Sequence, residues 1–325
     1  MFTYAGDKNI RYTGRWKEDE HRAVSTAQGS YLEFMTDAPE FVLHFDTTEV
    51  GYPRPHLYVI FDDTYKVETP IDRYMRFEFA DGKPHHVKII SKGAMEMQSR
   101  WSWRLESAFI LVVIEIDREL LPLPEDTRKT IEFVGDSITE GVVIDENRRF
   151  HTDDQKDRPL QDDATATYAY LTAQNLNLRP YIMGYGAVGV THGGCGWVPK
   201  VAEAYPFNFS GAPVTYKSPD YIVFNHGTND RFAPLDLFEK EYIGALDVIR
   251  EKNPTSKLIA LTPFCGVFDE VIEKIVKEYN EKNNTDIFYI GTKGWISPEP
   301  IHPDRTGHRT VAEKLSAILK ERFGL

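Results

Sequence analysis

In the stretch Lys129-Thr130-Ile131-Glu132-Phe133-Val134-Gly135-Asp136-Ser137-Ile138-Thr139-Glu140-Gly141, a run that reads as a buried strand leads straight into a serine. A serine at the carboxyl end of such a strand can act as a nucleophile. A hydroxyl is weak in that role at neutral pH, and it needs a base, an orienting partner for the base and donors for the developing oxyanion. Ser137 therefore predicts further residues downstream. Candidates follow in order: Gly184-Tyr185-Gly186-Ala187-Val188-Gly189 after a short strand-like run, Gly227-Thr228-Asn229-Asp230 after another, and His302-Pro303 near the C-terminus.

Around this stretch the chain alternates strand-like and helix-like segments. Strands are expected at 131–134, 181–183, 221–224, 258–261 and 287–290, and helices at 164–175, 236–251, 269–280 and 306–323. The alternation predicts a parallel sheet covered by helices on both faces, an α/β/α arrangement with its reactive residues at the carboxyl ends of the strands. Residues 1–122 read differently, as short strands at 31–35, 41–45, 56–61, 74–79, 86–90 and 109–116. Patterns such as Met75-Arg76-Phe77-Glu78-Phe79 suit strands with one wet face, and turns such as Ala80-Asp81-Gly82-Lys83-Pro84 separate them. An antiparallel β-sandwich or jelly roll is the economical architecture. The closely spaced prolines of Leu121-Pro122-Leu123-Pro124-Glu125-Asp126 mark a linker, giving an accessory domain over 1–122 and a catalytic domain over 123–325. The polar stretch 142–163 lacks periodicity, and is expected to be either a wall or lid of the site or a surface insertion.

At 325 residues with 41% hydrophobic content, the chain can supply a core for each of two domains. A formal net charge of −12 argues against nucleic acid or an anionic membrane as a partner. Neither a signal peptide nor an apolar run of membrane-spanning length is visible, and two cysteines make no disulfide framework. The expected location is the cytoplasm.

Individual residues carry competing readings. Ser137 also suits a helix N-cap, and the downstream blocks favour the nucleophile. Thr139 stands where the Gly-x-Ser-x-Gly elbow of α/β-hydrolases needs glycine, so that fold is not indicated. The run 184–189 spells Gly-x-Gly-x-x-Gly, but a glycine-rich loop follows it rather than a helix, and no carboxylate ends a next strand, so a dinucleotide site is not expected. Asp136 and Asp230 read as loop organisers, Cys195 as a bystander, and His308 as a packing or capping residue. A metal site from His302, Asp304 and His308 fits no common ligand spacing.

Together the four blocks resemble the SGNH hydrolases, the GDSL esterase/lipase superfamily, over about residues 128–325. The resemblance implies Ser137 as nucleophile, His302 as general base, and the Ser137 N–H, the Gly189 N–H and the Asn229 amide as oxyanion-hole donors. It implies no cofactor and no metal. Many members place an aspartate three residues before the histidine, and here that position is Glu299. Either Glu299 orients His302, or a backbone carbonyl does so in a Ser–His dyad. A β-sandwich ahead of an SGNH domain is similar to carbohydrate esterase family 2, which implies acetylesterase activity of the acetylxylan esterase kind on a small-molecule or oligosaccharide ester. Trp101, Trp103, Trp197 and Trp295 are candidate faces for sugar rings. The rival readings are a thioesterase or lysophospholipase, an acetyltransferase, and a carbohydrate-binding protein without turnover.

Overall fold

Along Glu40–Phe45 every second side chain, Phe41, Leu43 and Phe45, is buried, as a strand with one wet face requires. Strands of this kind make two antiparallel sheets in the computed structural model, which describes residues 1–102, 104–145 and 158–325. One sheet is ordered Lys17–Glu18 (β3), Ala23–Ser25 (β4), Phe109–Ile116 (β11), Glu40–Phe45 (β6) and Tyr74–Glu78 (β9), with Phe2–Tyr4 (β1) also on β11. The other is ordered Arg11–Thr13 (β2), Tyr31–Thr36 (β5), His85–Gly93 (β10), His56–Phe61 (β7) and Tyr65–Pro70 (β8). Phe34, Val59 and Ile89 of the second sheet share one core with Phe41, Leu43 and Leu111 of the first, which makes a β-sandwich.

The C-terminal half is a parallel sheet ordered Arg179–Gly184 (β13), Thr130–Gly135 (β12), Tyr221–Asn225 (β16), Lys257–Leu261 (β17) and Phe288–Ile290 (β18). Its central strands are apolar on both faces because helices cover both. Leu235–Lys252 (α5) and Asp269–Asn283 (α6) pack on the face of Val134 and Phe224, while Tyr168–Asn175 (α3) and Arg305–Phe323 (α7) pack on that of Ile131, Phe133 and Val223. Short helices occupy Ser137–Glu140 (α1), Arg158–Gln161 (α2) and Val201–Ala204 (α4), and a ribbon pairs Phe207–Phe209 (β14) with Ala212–Pro213 (β15). In register, Gly135 sits beside both Gly184 and Asn225, so three strands end level with one another. No helix among the described residues is long and apolar enough to cross a membrane.

Two differences from the sequence expectation have local causes. The expected helix 164–175 is interrupted at Thr167, whose Oγ1 caps α3 by accepting the Tyr170 N–H at 3.2 Å. Strands β1 to β4 span two or three residues each, too few to show a period, and β8 carries the polar pattern of an edge. Of the stretch 142–163, expected to be a wall or lid of the site or a surface insertion, residues 146–157 lie outside the described residues, and α2 takes up 158–161.

The two halves meet through an unusual set of groups. Tyr31, Tyr58 and Ile90 on the outer face of the second sheet are buried against Tyr170 of α3. Arg15, Lys92 and Arg100 are the fully buried arginine and lysine side chains among the described residues, and all three come from the N-terminal half and contact the C-terminal half. Arg15 pairs with Glu132 of β12 at 2.9 Å, and Lys92 Nζ donates to the carbonyls of Pro159, Leu160 and Asp162.

Candidate active site

The strand–serine junction is shaped by contacts too close for larger residues. A Cβ on Gly135 would lie 2.1 Å from Thr139 Oγ1, so the turn from β12 into α1 requires glycine. Asp136 caps α1 by accepting the Ile138 N–H at 3.0 Å, which makes Ser137 the first helical residue rather than the cap. The Ser137 N–H thus belongs to a first turn that has no intrahelical acceptor for it.

His302 approaches from the loop between β18 and α7. Its Nε2 lies 2.9 Å from Ser137 Oγ, within reach for a proton transfer between them. A chain of contacts ties the two segments together. Asp304 caps α7 through the Gly307 N–H at 2.8 Å, and one turn on, His308 Nδ1 accepts the Tyr168 N–H at 3.0 Å. The Tyr168 hydroxyl in turn meets Thr139 Oγ1 at 2.8 Å, inside the helix that Ser137 opens. Burial pulls the His308 pKa down to about 3, which keeps its ring neutral and its Nδ1 free to accept.

Asn229 faces the same end of the sheet. Its Nδ2 donates to Val188 O at 3.1 Å and to Asp136 Oδ2 at 3.4 Å, so the cap of the serine helix also holds the amide. Burial pushes the Asp136 carboxyl up to about 7. Asp230 organises the neighbouring loop by accepting from Val190 N–H, Thr191 N–H and Thr191 Oγ1.

Two expected residues sit otherwise than their assigned roles require. The Gly189 N–H, expected to face an oxyanion, is donated to His192 O at 3.0 Å. Glycine is needed there because a Cβ would lie 2.5 Å from the Asp230 carboxylate. Glu299, expected to orient His302, is exposed, and its carboxylate makes no hydrogen bond or ion pair with any described residue; only its backbone bonds, to the Ser297 hydroxyl. Gly186 is committed as well, its N–H donating to Glu140 Oε2 at 2.7 Å.

Burial raises the Cys195 thiol to about 11, so it is not a thiolate at neutral pH. Of the tryptophans, Trp101 is buried, Trp295 half-buried and Trp197 76% exposed, while Trp103 lies outside the described residues. Trp197 borders a cavity of about 420 Å³ with Ser99, Ser102, Arg104 and Glu106. Among the described residues no three His, Cys, Asp or Glu side chains are grouped to hold a metal ion. Sequence reasoning gave no sign of the supports supplied by Tyr168, Glu140 and Arg100. Their partners lie far away in the chain, and nothing in the residue types marks the pairings.

Residues 133–310 match the model of the GDSL-like Lipase/Acylhydrolase family. The cellulase/esterase CelE of Acetivibrio thermocellus is 25% identical over 232 residues, which is 63% of this chain and 27% of CelE. The match therefore spans about a quarter of that relative's length. Among solved structures, a family two carbohydrate esterase from Cellvibrio japonicus superimposes with a TM-score of 0.82 at 19% identity, covering 99% of this chain and 97% of that one. An acetyl xylan esterase, Est2A, from Butyrivibrio proteoclasticus gives 0.78 at 19% identity, covering 100% and 98%. At such identities these likenesses establish a shared fold over both halves.

Proposed function

The chain belongs to the GDSL-like lipase/acylhydrolase family, and on that premise we propose that it is a serine esterase removing small acyl groups, acetyl foremost, from carbohydrate hydroxyls. The observation that carries this reading is the 2.9 Å approach of His302 Nε2 to Ser137 Oγ beyond the carboxyl end of β12. The likeness of the whole chain to carbohydrate esterases, sandwich included, supports the choice of substrate class. So does the exposed Trp197 indole beside a cavity lined by hydroxyls and charges, since a flat apolar ring and polar neighbours suit a sugar.

In this mechanism Ser137 Oγ attacks the ester carbonyl carbon while its proton passes to His302 Nε2. The tetrahedral oxyanion receives hydrogen bonds from the Ser137 N–H and from the Asn229 amide, which turns one N–H to it from Val188 O or Asp136 Oδ2. The Gly189 N–H joins them only if its bond to His192 O opens. Collapse breaks the bond to the sugar oxygen, which leaves with the proton from His302. Water then attacks the acyl carbonyl, giving a proton to His302, and the bond to Ser137 Oγ breaks as Oγ takes that proton back, releasing the carboxylic acid.

The test is hydrolysis of p-nitrophenyl acetate by the wild type and by Ser137→Ala, followed by acetylated xylan and acetylated oligosaccharides. The expected result is a fall of about 10³-fold or more in the variant with its melting temperature kept. Preference for long acyl chains over acetate would favour a thioesterase or lysophospholipase, and oligosaccharide binding without turnover a binding protein. Activity surviving Ser137→Ala would remove Ser137 as nucleophile.

A further inference from the structure

Arg100 lies between β10 and β11 in the N-terminal half, yet its side chain is fully buried and its guanidinium contacts the C-terminal half. Nη1 and Nη2 donate to the two oxygens of Glu140, the second bond at 3.1 Å. This is the bidentate geometry that a guanidinium holds most firmly. The guanidinium carbon also lies 5.2 Å from the centre of the Tyr185 ring, and the Arg100 backbone N–H donates to Gly196 O at 3.1 Å.

Glu140 is the last residue of α1, the helix that Ser137 opens. Its Oε2 also accepts the Gly186 N–H at 2.7 Å. Gly186 is followed by Ala187, held at a φ of 59°, and by Val188, whose carbonyl accepts the Asn229 amide. A left-handed alanine persists only where its surroundings over-determine it. One carboxylate therefore joins the serine helix to the loop that seats Asn229. Burial raises the Glu140 carboxyl above its ordinary value, and the Arg100 guanidinium opposes that rise.

We propose that Arg100 is a positioning residue for the ester hydrolysis inferred above, supplied across the boundary between the halves: through Glu140 it fixes the Ser137 helix and the 184–189 loop in one geometry. The inference rests on the esterase reading for its kinetic consequence. Arg15 provides the matched contrast. It is equally buried and paired with Glu132, but its hydrogen bonds go to Glu132 and to the carbonyls of Tyr205 and Phe207, with none to α1 or the 184–189 loop. Both arginines hold the halves together, and only Arg100 touches a residue of the reactive end.

The experiment compares Arg100→Lys with Arg15→Lys in the full chain. Both variants are expected to melt lower than the wild type. Arg100→Lys is expected to lose about tenfold or more in kcat on p-nitrophenyl acetate with KM within about twofold, because small misplacements of reacting groups cost rate rather than affinity. Arg15→Lys should keep kcat per folded molecule within about twofold. In hydrogen exchange read by mass spectrometry, the peptide containing Gly186 should exchange faster in Arg100→Lys and as in the wild type in Arg15→Lys. If Arg100→Lys does not fold, the double variant Arg100→Met with Glu140→Met removes both charges at similar volume, and its kcat should fall equally because Gly186 loses its acceptor. Wild-type kcat and Gly186 exchange in an Arg100 variant, or an equal kcat loss in Arg15→Lys, would overturn the proposal. A wild type that turns over no ester overturns the functional reading instead, and the exchange comparison, which needs no substrate, then decides the role of Arg100.

Discussion

The two sheets of the sandwich share an antiparallel build and one core, yet their outer faces differ. On the sheet containing β6 and β9, outward residues such as His44, Arg76 and Glu115 are half-buried or exposed, with His44 paired to Glu115 and Arg76 to Glu40 at the surface. On the sheet containing β5, β7 and β10, the outward residues Tyr31, Glu33, Tyr58, Ile90 and Lys92 are buried. The C-terminal half covers the second face around Tyr31, Tyr58, Ile90 and Lys92, where the usual alternation of wet and dry residues is lost, while Glu33 pairs with Arg11 and Lys88 of the sandwich itself. Buried charge on a strand face thus marks the side where another body docks, and the sandwich behaves as part of the hydrolase rather than as an appendage.

The strongest way to break that contrast is Glu132→Ala, which strands the buried Arg15 guanidinium. A loss of about 3–5 kcal/mol in denaturant unfolding is expected. A value below about 1 kcal/mol would show that the covered face is no firmer than the open one.

Asp162 adds a pH dependence to the covered face. It packs against Gly93 of the sandwich, and burial pushes its carboxyl from 3.8 up to about 8. Between those values the folded chain holds a proton that the unfolded chain has released, so stability falls as pH rises and the loss is complete above about pH 8. Asp162→Asn keeps an acceptor for the Val143 N–H and should flatten that fall. Melting temperatures at pH 5.5 and 8.5 should show the variant gaining on the wild type at the higher pH, and parallel curves would remove Asp162 as the source.

Tyr58→Phe deletes one hydrogen bond across the boundary, from the hydroxyl to Asp163 Oδ2 at 3.0 Å, and should cost about 1.5 kcal/mol. The smallest effect belongs to the open face. Arg76 pairs with Glu40 and Glu78 in solvent, so Arg76→Ala should change unfolding free energy by less than about 1 kcal/mol. A larger loss there would erase the difference between the faces.

The parallel sheet was legible because its strands are short, mostly apolar runs alternating with helical segments, even though Glu132 interrupts β12. The sandwich strands at 31–35, 41–45 and 109–116 were legible by alternation and composition, while β1 to β4 are too short to show either. The Ser137–His302 pair was legible as motif blocks although 165 residues separate the two. The engagement of the Gly189 N–H by His192 O was not, since a backbone bond within a loop leaves no mark on residue type. The exposure of Glu299 was equally hidden, because a carboxylate three residues before a histidine can point anywhere that its loop allows.

What the sequence by itself determined is therefore local: which runs form strands and helices, where the chain changes from antiparallel to parallel architecture, and which residue types could carry acyl transfer. Only the tertiary structure decided which charges are buried and against what. Nothing in the residue types of Arg15, Lys92 and Arg100 marks them as buried, and their partners Glu132, the carbonyls of Pro159, Leu160 and Asp162, and Glu140 are 40 to 117 residues away. A charge enters a protein interior only when folding brings a partner to it, so its role belongs to the pairing and is absent from either residue alone.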